Sequence, residues 1–500
     1  MELPVPLLSV AQVRALETRA IAAAGGDGRV LMRRAATAAL QSLRARWSTA
    51  RGFTVLCGGG NNGGDGWMMA RLGRAAGLDA RVLWTTPPDA LRGEAAQAAS
   101  EALAAGVPAL EFTATSAVAG ALARADVLVD ALLGIGLTTP VRAPVAAAIE
   151  AINAAGRPVL ALDVPSGLCA DSGRVLGCAV RAEATVSFIA LKSGLLLGAG
   201  PDHSGALSVD DLGVDPPGPQ EISWQRIVGA QVRAAIPPRP RDAHKGQNGH
   251  VFVVGGGEGM PGAARLAGEA ALRVGAGRVT VLCAASSATA IVASRPELMV
   301  RALEPDAAAA AARSSMLLEA ADVIVTGPGL GRDLWAQRVL EAVRASGKPT
   351  VFDADALHLL DGAPPADCVL TPHPGEAAQM TGLTSAAIQA DRPRALRALV
   401  DRHSAVVVLK GAGTLIGQRG RVPSICDRGH PVLAAPGTGD VLAGAIGGLL
   451  AQTGDPWGAA MAAVWLHARA GEILGRAGDR GVLAGEVAAT LPLAWAETAA

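Results

Sequence analysis

Short runs rich in β-branched residues alternate with alanine-rich segments of helical spacing in two separate stretches of this chain. From about residue 50 to 200 the runs are FTVLC, ARVLW, DVLVD, PVLAL and ATVSFIA; from about 250 to 410 they are HVFVVGG, RVTVLC, DVIVTG, PTVFDAD, CVLTPHP and AVVVLKG. Near-continuous apolar runs suit strands covered on both faces, and parallel neighbours need a crossover, usually a helix. The rhythm therefore predicts an α/β layer structure, formed twice. Between the stretches, DDLGVDPPGPQ (210–220) breaks both periodicities with three prolines and two glycines, and the proline-rich IPPRPRDAHKG follows. A linker or domain edge is expected there. With 500 residues the chain exceeds what one core usually supports, so domains are expected at 1–215 and 225–500. The six alanines Ala307–Ala312 read as ordinary helix rather than low complexity.

Composition narrows the function classes. Formal net charge is zero and no long basic run occurs, which removes the footprint of a general nucleic-acid binder. No apolar stretch reaches the length of about 18 to 20 residues that spans a bilayer, so no membrane role is expected. The six cysteines lack C-x-x-C pairing, giving neither a zinc pattern nor a disulfide framework and fitting a reducing cytoplasm. Only four of the 44 basic residues are lysines (192, 245, 348 and 410). A chain that writes Arg for generic charge keeps Lys where a compact, tunable ammonium is wanted; Lys348, in ASGKPT, reads as loop.

In CGGGNNGGDG, Gly58, Gly60 and Gly63 satisfy the dinucleotide pattern G-x-G-x-x-G. That pattern calls for an acid about 20 residues on to hold a ribose, yet ARVLW runs into Thr85, Thr86 and Pro87. What remains is a strand end at Cys57, glycines that let a ligand approach the backbone, and a helix expected to start near Asp65 whose free N–H groups favour an anion. A plain glycine-rich turn is the alternative. Asp130, Asp163 and Lys192 each follow an apolar run and so fall on the carboxyl edge of the sheet, where such folds bind ligands, although a lone Asp there often caps a helix. Oxygens of Asn62, Asp130 and Ser166 form a set suited to a hard cation.

In the second half, APGTGDVLAGAIGGLL sets Gly437, Thr438 and Gly439 before Asp440 and a long apolar helix. Such a helix start presents N–H groups to phosphate. Asp440 cannot bind phosphate itself and reads as a base taking a proton from an attacking hydroxyl, with helix capping by it or by Thr438 as the alternative. Lys410, at a strand end before two glycines, is placed to meet nucleotide phosphates. His373 sits between two prolines in LTPHPGE; His244 and Lys245 either shape the pocket entry or cap a loop.

GGGNNGGDG, DALLGIGL, DVPSGLCADSG and TVSFIALKSG together resemble the NAD(P)H-hydrate epimerase family across residues 1–215. The resemblance implies a Rossmann-like three-layer α/β/α domain interconverting the R and S hydrates at C6. It implies substrate contacts at Asn61, Asn62, Gly63, Gly64 and Asp65, at Gly134, Ile135, Gly136, Leu137, Thr138, Thr139 and Pro140, and at Asp163. Potassium would be held by Asn62, Asp130 and Ser166, and Asp163 with Lys192 is taken as the acid/base pair. LMRRAA departs from the family near positions 33 and 36, at a helix contact or dimer surface.

HKGQNGHVFVVGGGEGMPGAARLA, GPGLG, DADAL, LTPHPGEAAQM, KGAGT and GTGDVLAG likewise resemble the ADP-dependent NAD(P)H-hydrate dehydratase family over about 225–495. A ribokinase-like α/β domain is implied, with the S hydrate near Ala263, Gly331, His373 and Asp440 and the adenine nucleotide at Lys410, Gly411, Ala412, Gly413, Thr414 and Gly439. Phosphoryl transfer from ADP, assisted by Mg2+, would activate the C6 hydroxyl, and loss of phosphate would restore the dihydronicotinamide and leave AMP. GHPVLAAPG departs from the family at His430, Val432 and Pro436, in the adenine or phosphate wall. The expected partners are NADHX, NADPHX and ADP, in a cytoplasmic homo-oligomer. Two other readings stay open. A ribokinase-type small-molecule kinase would share the second set of motifs, and the first domain's fold is also similar to a dimerising module of mRNA-decapping scaffolds.

Overall fold

The computed structural model describes residues 3–113 and 115–499. The chain divides into two compact units, 1–224 and 225–500, each taken here by itself.

In the first unit, helices α1 (Val10–Ala23) and α2 (Arg29–Arg46) precede strand β1 (Gly52–Cys57) and helix α3 (Asn61–Ala75). There follow β2 (Asp79–Trp84), α4 (Gly93–Ala104), β3 (Ala109–Glu111), α5 (Ser116–Arg124), β4 (Val127–Ala131), α6 (Val145–Ala154), β5 (Val159–Leu162), β6 (Ala184–Phe188) and β7 (Ala206–Asp210). Every pairing in this seven-stranded sheet is parallel, in the order β3-β2-β1-β4-β5-β6-β7. Strand periodicity sends Phe53, Val55 and Cys57 to a core shared with α2, α3 and α4, and Leu56, Leu83 and Leu128 to a core shared with α5 and α6. The result is the expected Rossmann-like three-layer arrangement. Order reverses between β1 and β4, and such a switch opens a crevice at the carboxyl ends of the strands.

The second unit carries β8 (Trp224–Arg226), β9 (His250–Val254), α7 (Pro261–Arg273), β10 (Arg278–Ala284), β11 (Met299–Leu303), β12 (Val323–Thr326), β13 (Thr350–Phe352), β14 (Val369–Leu370), α8 (Pro374–Thr381), α9 (Arg392–Arg402), β15 (Val406–Leu409), β16 (Thr414–Gly417) and β17 (Ser424–Cys426). Helices α10 (Thr438–Thr453), α11 (Pro456–Gly475) and α12 (Ala484–Ala496) close it. Strands run β11-β10-β9-β12-β13-β14-β15-β16-β17-β8. The sheet is mixed: β16 is antiparallel to both β15 and β17, while β9 to β15 are parallel and finish on one edge. The alanine run is helical within Ala307–Leu318, capped by Asp306.

Glycines set two close approaches that matter for the sites. A Cβ on Gly58 would lie 1.9 Å from the Leu132 carbonyl oxygen, so the loop after β1 can press on the loop after β4 only without a side chain. On α10, a Cβ at Gly444 would stand 2.0 Å from the Ala267 carbonyl and one at Gly447 2.2 Å from Val325, which explains GAIGG as a face pressed onto α7 and β12. Gly58→Ala is expected to destabilise the first unit by about 2–3 kcal/mol. Gly60→Ala, at φ −102° with nothing within 4 Å of the new Cβ, should stay within about 0.5 kcal/mol of the parent; urea unfolding of the two variants compares them.

Candidate active sites

The first site is built on the ends of β1, β4 and β5. Helix α3 begins at Asn61, not near Asp65: Gly60 is extended and caps it, and the Gly64 N–H already bonds the Gly60 carbonyl. The Asn-Asn-Gly-Gly segment is therefore the first turn of the helix rather than a loop before it. Asn62 is buried; its Nδ2 donates to the Leu133 carbonyl (3.0 Å), while its Oδ1 is buried with no hydrogen-bond partner. Asp130 is fully buried and accepts from the Ser166 N–H (2.7 Å), the Ser166 hydroxyl (2.5 Å) and the Leu132 N–H (3.2 Å). Burial pushes its carboxyl up to about 6, against those hydrogen bonds, which pull it down. Ser166 Oγ also accepts from the Leu133 N–H (2.8 Å). Asn62 and Ser166 thus meet at Leu133, and Asp130 joins them through Ser166 and the Leu132 N–H.

Asp163 leaves the end of β5 with φ +66°, a left-handed conformation that Asp tolerates better than most residues. Its Oδ1 accepts from the Phe188 N–H (3.1 Å) and from the Lys192 ammonium. Lys192 is fully buried, and its remaining donors go to the Phe188 carbonyl (2.7 Å) and Ser187 Oγ (3.1 Å).

A cavity of about 470 Å³ opens in front of these groups. Asn61, Asn62, Asp65, Gly134, Ile135, Gly136, Leu137 and Asp163 line it. Gly63, Gly64, Thr138, Thr139, Pro140 and Lys192 do not. The lysine lies behind Asp163, so it reaches a ligand only through that carboxylate. The sequence reading missed Arg14 and Glu17 of α1 and Glu94 of α4, which complete the wall. They stand on helices with no strand-end signal.

The second site gathers at the carboxyl ends of β12 to β15. Lys410 donates to Asp353 Oδ1 (2.6 Å) and lies 3.8 Å from Glu376 Oε2. Burial works against its charge, but the carboxylates of Asp353 and Glu376 outweigh that and raise it above the ordinary lysine range. A Cβ at Gly439 would stand 3.4 Å from the Lys410 Nζ, which sets the ammonium over the first turn of α10 beside Asp440. Gly437, at φ +87°, starts that helix, and a Cβ there would meet Leu266 at 2.7 Å. Thr438 does not cap it; its hydroxyl turns back to the Leu433 and Ala435 carbonyls. Burial first, and then Asp353, push Asp440 up to about 7, with Lys410 pulling the other way. His467 of α11, half-buried at the Thr438 carbonyl, is pushed down to about 4 by loss of solvent around its ring.

Arg392, nine-tenths buried, spreads its guanidinium over the carbonyls of Leu409, Lys410 and Gly413 and so sets the shape of the Lys410–Thr414 loop; burial lowers it to about 10. His373 caps α8, its Nδ1 accepting from the N–H groups of Gly375 and Glu376. His244 caps a 3-10 turn through the Gly246 N–H, and Lys245 is exposed. Asp355 accepts from the Gly331 N–H (3.0 Å) and from Arg332 (2.9 Å). Ala354, between the two aspartates, has φ +46°, and this strained backbone turns Asp353 to Lys410 and Asp355 to Gly331. Gly329 passes close to Ala263 at the start of α7, where a Cβ would lie 3.1 Å from the alanine's own. Asp353, Asp355, Glu376 and Arg392 were not singled out from sequence. Asp353 carries the same signal as Asp163, an acid directly after an apolar strand.

Residues 28–194 match the family described as YjeF-related protein N-terminus, and residues 251–493 match NAD(P)H-hydrate dehydratase. Over 484 residues the chain is 44% identical to the bifunctional NAD(P)H-hydrate repair enzyme Nnr of Coxiella burnetii, covering 95% of this chain and 96% of that one. The chain belongs to the bifunctional NAD(P)H-hydrate repair enzyme family. Its Escherichia coli relative of the same name is 42% identical, over 92% of this chain and 88% of that one. The enzyme is also similar to the crystal structure of the ADP/ATP-dependent NAD(P)H-hydrate dehydratase from Bacillus subtilis co-crystallized with ATP/Mg2+ (31% identity, TM-score 0.50, 55% of this chain and 98% of that chain). A ribokinase-like superfamily protein of Enterococcus faecalis matches equally well in fold (29% identity, TM-score 0.50, 57% and 99%). The second unit of the repair enzyme is ribokinase-like. No helix among the described residues is long and apolar enough to cross a membrane.

Asp440 titrates near neutrality, so a step that needs its carboxylate loses rate as protons return. The kcat/KM for dehydration is expected to fall below about pH 7 with a single-proton slope. In Asp353→Asn that limb should move to lower pH, because the neighbouring charge that helps raise Asp440 is gone; pH–rate profiles of both proteins test this.

Proposed function

We propose that the first unit interconverts the R and S hydrates of NADH and NADPH at C6, and that the second dehydrates the S hydrate at the expense of ADP. The observation that carries the reading is the second site. There an ammonium and a carboxylate that receives no hydrogen bond from any described residue flank the first-turn N–H groups of α10. A nucleotide phosphate suits the N–H groups and Lys410, with the Lys410–Thr414 loop and Gly439 as its seat. Asp440 then takes the proton of the C6 hydroxyl as that oxygen attacks the terminal phosphorus of ADP; the bond to AMP breaks and AMP departs. Loss of phosphate from C6, with a proton from the neighbouring ring carbon, restores the dihydronicotinamide. Ala263, Gly331 and His373 bound the hydrate in this reading. Magnesium enters this reading with the nucleotide's phosphates, as is usual for that ion.

In the first unit the cavity takes the hydrated nicotinamide, with Asn61, Asn62, Asp65, the Gly134–Leu137 segment and Asp163 around it. The oxygens of Asn62, Asp130 and Ser166 fit a potassium ion: the set is all oxygen, and the buried Asn62 Oδ1 lacks any partner. When bound, the ion supplies a fixed positive charge to that wall. The reading places the chain in the cytoplasm as a homo-oligomer, which light scattering measures.

Asp440→Asn is expected to lower ADP-dependent dehydration by at least about 100-fold while R–S interconversion survives, and Asp163→Ala to do the reverse. Chromatography of the hydrates and of released phosphate reads both. Equal loss of both activities in either variant contradicts the assignment, and a stable phosphorylated product would identify a kinase instead.

A further inference from the structure

Epimerisation at a carbon that bears both a hydroxyl and a ring nitrogen needs two proton carriers. One must be an acid for the departing oxygen and the other a base for the returning one. The cavity offers Asp163, Asp65 and Glu17 together with the buried, half-satisfied Asn62. Lys192 is not available as the acid, because it has no exposed surface and its ammonium is occupied by Asp163, Ser187 and Phe188. Asp163 accepts two donors, the arrangement that suits a carboxylate. Asp65 lines the same cavity from the second turn of α3 and receives no hydrogen bond from any described residue.

We propose, resting on the epimerase reading above, that Asp65 is the catalytic acid and Asp163 the base, and that Lys192 is a positioning residue acting only through Asp163. The Asp65 carboxyl gives its proton to the C6 hydroxyl. The C6–O bond breaks, water leaves, and the lone pair of the ring nitrogen forms the C6–N double bond. Water then adds to the other ring face, its proton passes to Asp163, and the pair returns to nitrogen. Solvent carries the proton from Asp163 back to Asp65, so nothing is consumed.

Two carboxyls divide such work when their surroundings drive their protonation apart. Burial, followed by the charges of Asp163 and Glu17, holds Asp65 well above the usual carboxylate range. Glu17 is itself raised by burial and by Asp163, while Lys192 and Arg14 pull it down. The titratable and charged groups facing Asp65 are Glu17 and Arg14 from α1, Glu94 from α4, Cys57 from β1 and Asp163 beyond β5, with Lys192 behind it.

The test follows R–S interconversion by the full chain without ADP, after subtracting the rate in the absence of protein. Asp65→Asn is expected to lower kcat by at least about 100-fold with KM within about threefold. Glu17→Gln, which removes one neighbouring charge, should move the alkaline limb of kcat/KM down by about one pH unit, a shift that a merely structural role would not produce. Lys192→Met should leave the alkaline limb in place. ADP-dependent dehydration of the S hydrate reports folding of each variant. Epimerisation by Asp65→Asn within about threefold of the parent, an unmoved alkaline limb in Glu17→Gln, or loss of that limb in Lys192→Met overturns the proposal. No interconversion by the parent chain would overturn the epimerase reading itself.

Discussion

Each unit holds a lysine on an aspartate at the carboxyl edge of its parallel strands, Lys192 on Asp163 and Lys410 on Asp353, with Glu376 close to the second. Taking an ammonium out of water costs several kcal/mol, and only a well-placed carboxylate with further acceptors offsets it. The pairing therefore fixes where the two strand ends sit and in which direction their side chains point. It also divides the acids in each site. One carboxylate is committed to the lysine, and another, Asp65 or Asp440, has no donor among the described residues and is driven by burial toward its neutral form. A carboxyl pushed toward its neutral form beside fixed charge is suited to giving up a proton to a reacting group.

The two units reach this arrangement by different packing. In the first, Gly58 lets the loop after β1 lie on the loop after β4, and α3 starts from that contact, carrying Asn61, Asn62 and Asp65 into the cavity. In the second, the glycine face of α10 lies on α7 and β12, which brings its first turn to Lys410. In the proposed reading, the helix start seats a phosphate in one unit and carries side chains into the cavity in the other. One kind of sheet edge thus serves two kinds of chemistry.

Much of this was legible in the chain. The apolar runs named from sequence are all strands, because strands buried on both faces cannot be written any other way. Asp130, Asp163, Lys192, Lys410 and Asp440 were found because strand ends and helix starts leave local marks, and because lysine is scarce. The short or less regular strands, such as Ala109–Glu111 and Thr414–Gly417, left no such signal. Glu17 was invisible for a different reason: one acid on an amphipathic helix looks like solvent, and only the tertiary fold carries it to Asp65. Asp353 was readable but overlooked, and Arg392 owes its role to carbonyls that no pattern announces. The first helix of the Asn-Asn-Gly-Gly segment starts earlier than glycine content suggests, since Gly60 in extended conformation can cap it.

The central claim is that the two pockets act in series on one damaged nucleotide, so that neither epimer is left behind. Pure protein incubated with mixed R and S hydrates, ADP and Mg2+ tests it, with recovery of dihydronicotinamide absorbance as the readout. The account predicts complete recovery, with the R fraction consumed faster than it converts without protein. Recovery that stops at the S fraction and then creeps at the uncatalysed rate would contradict it.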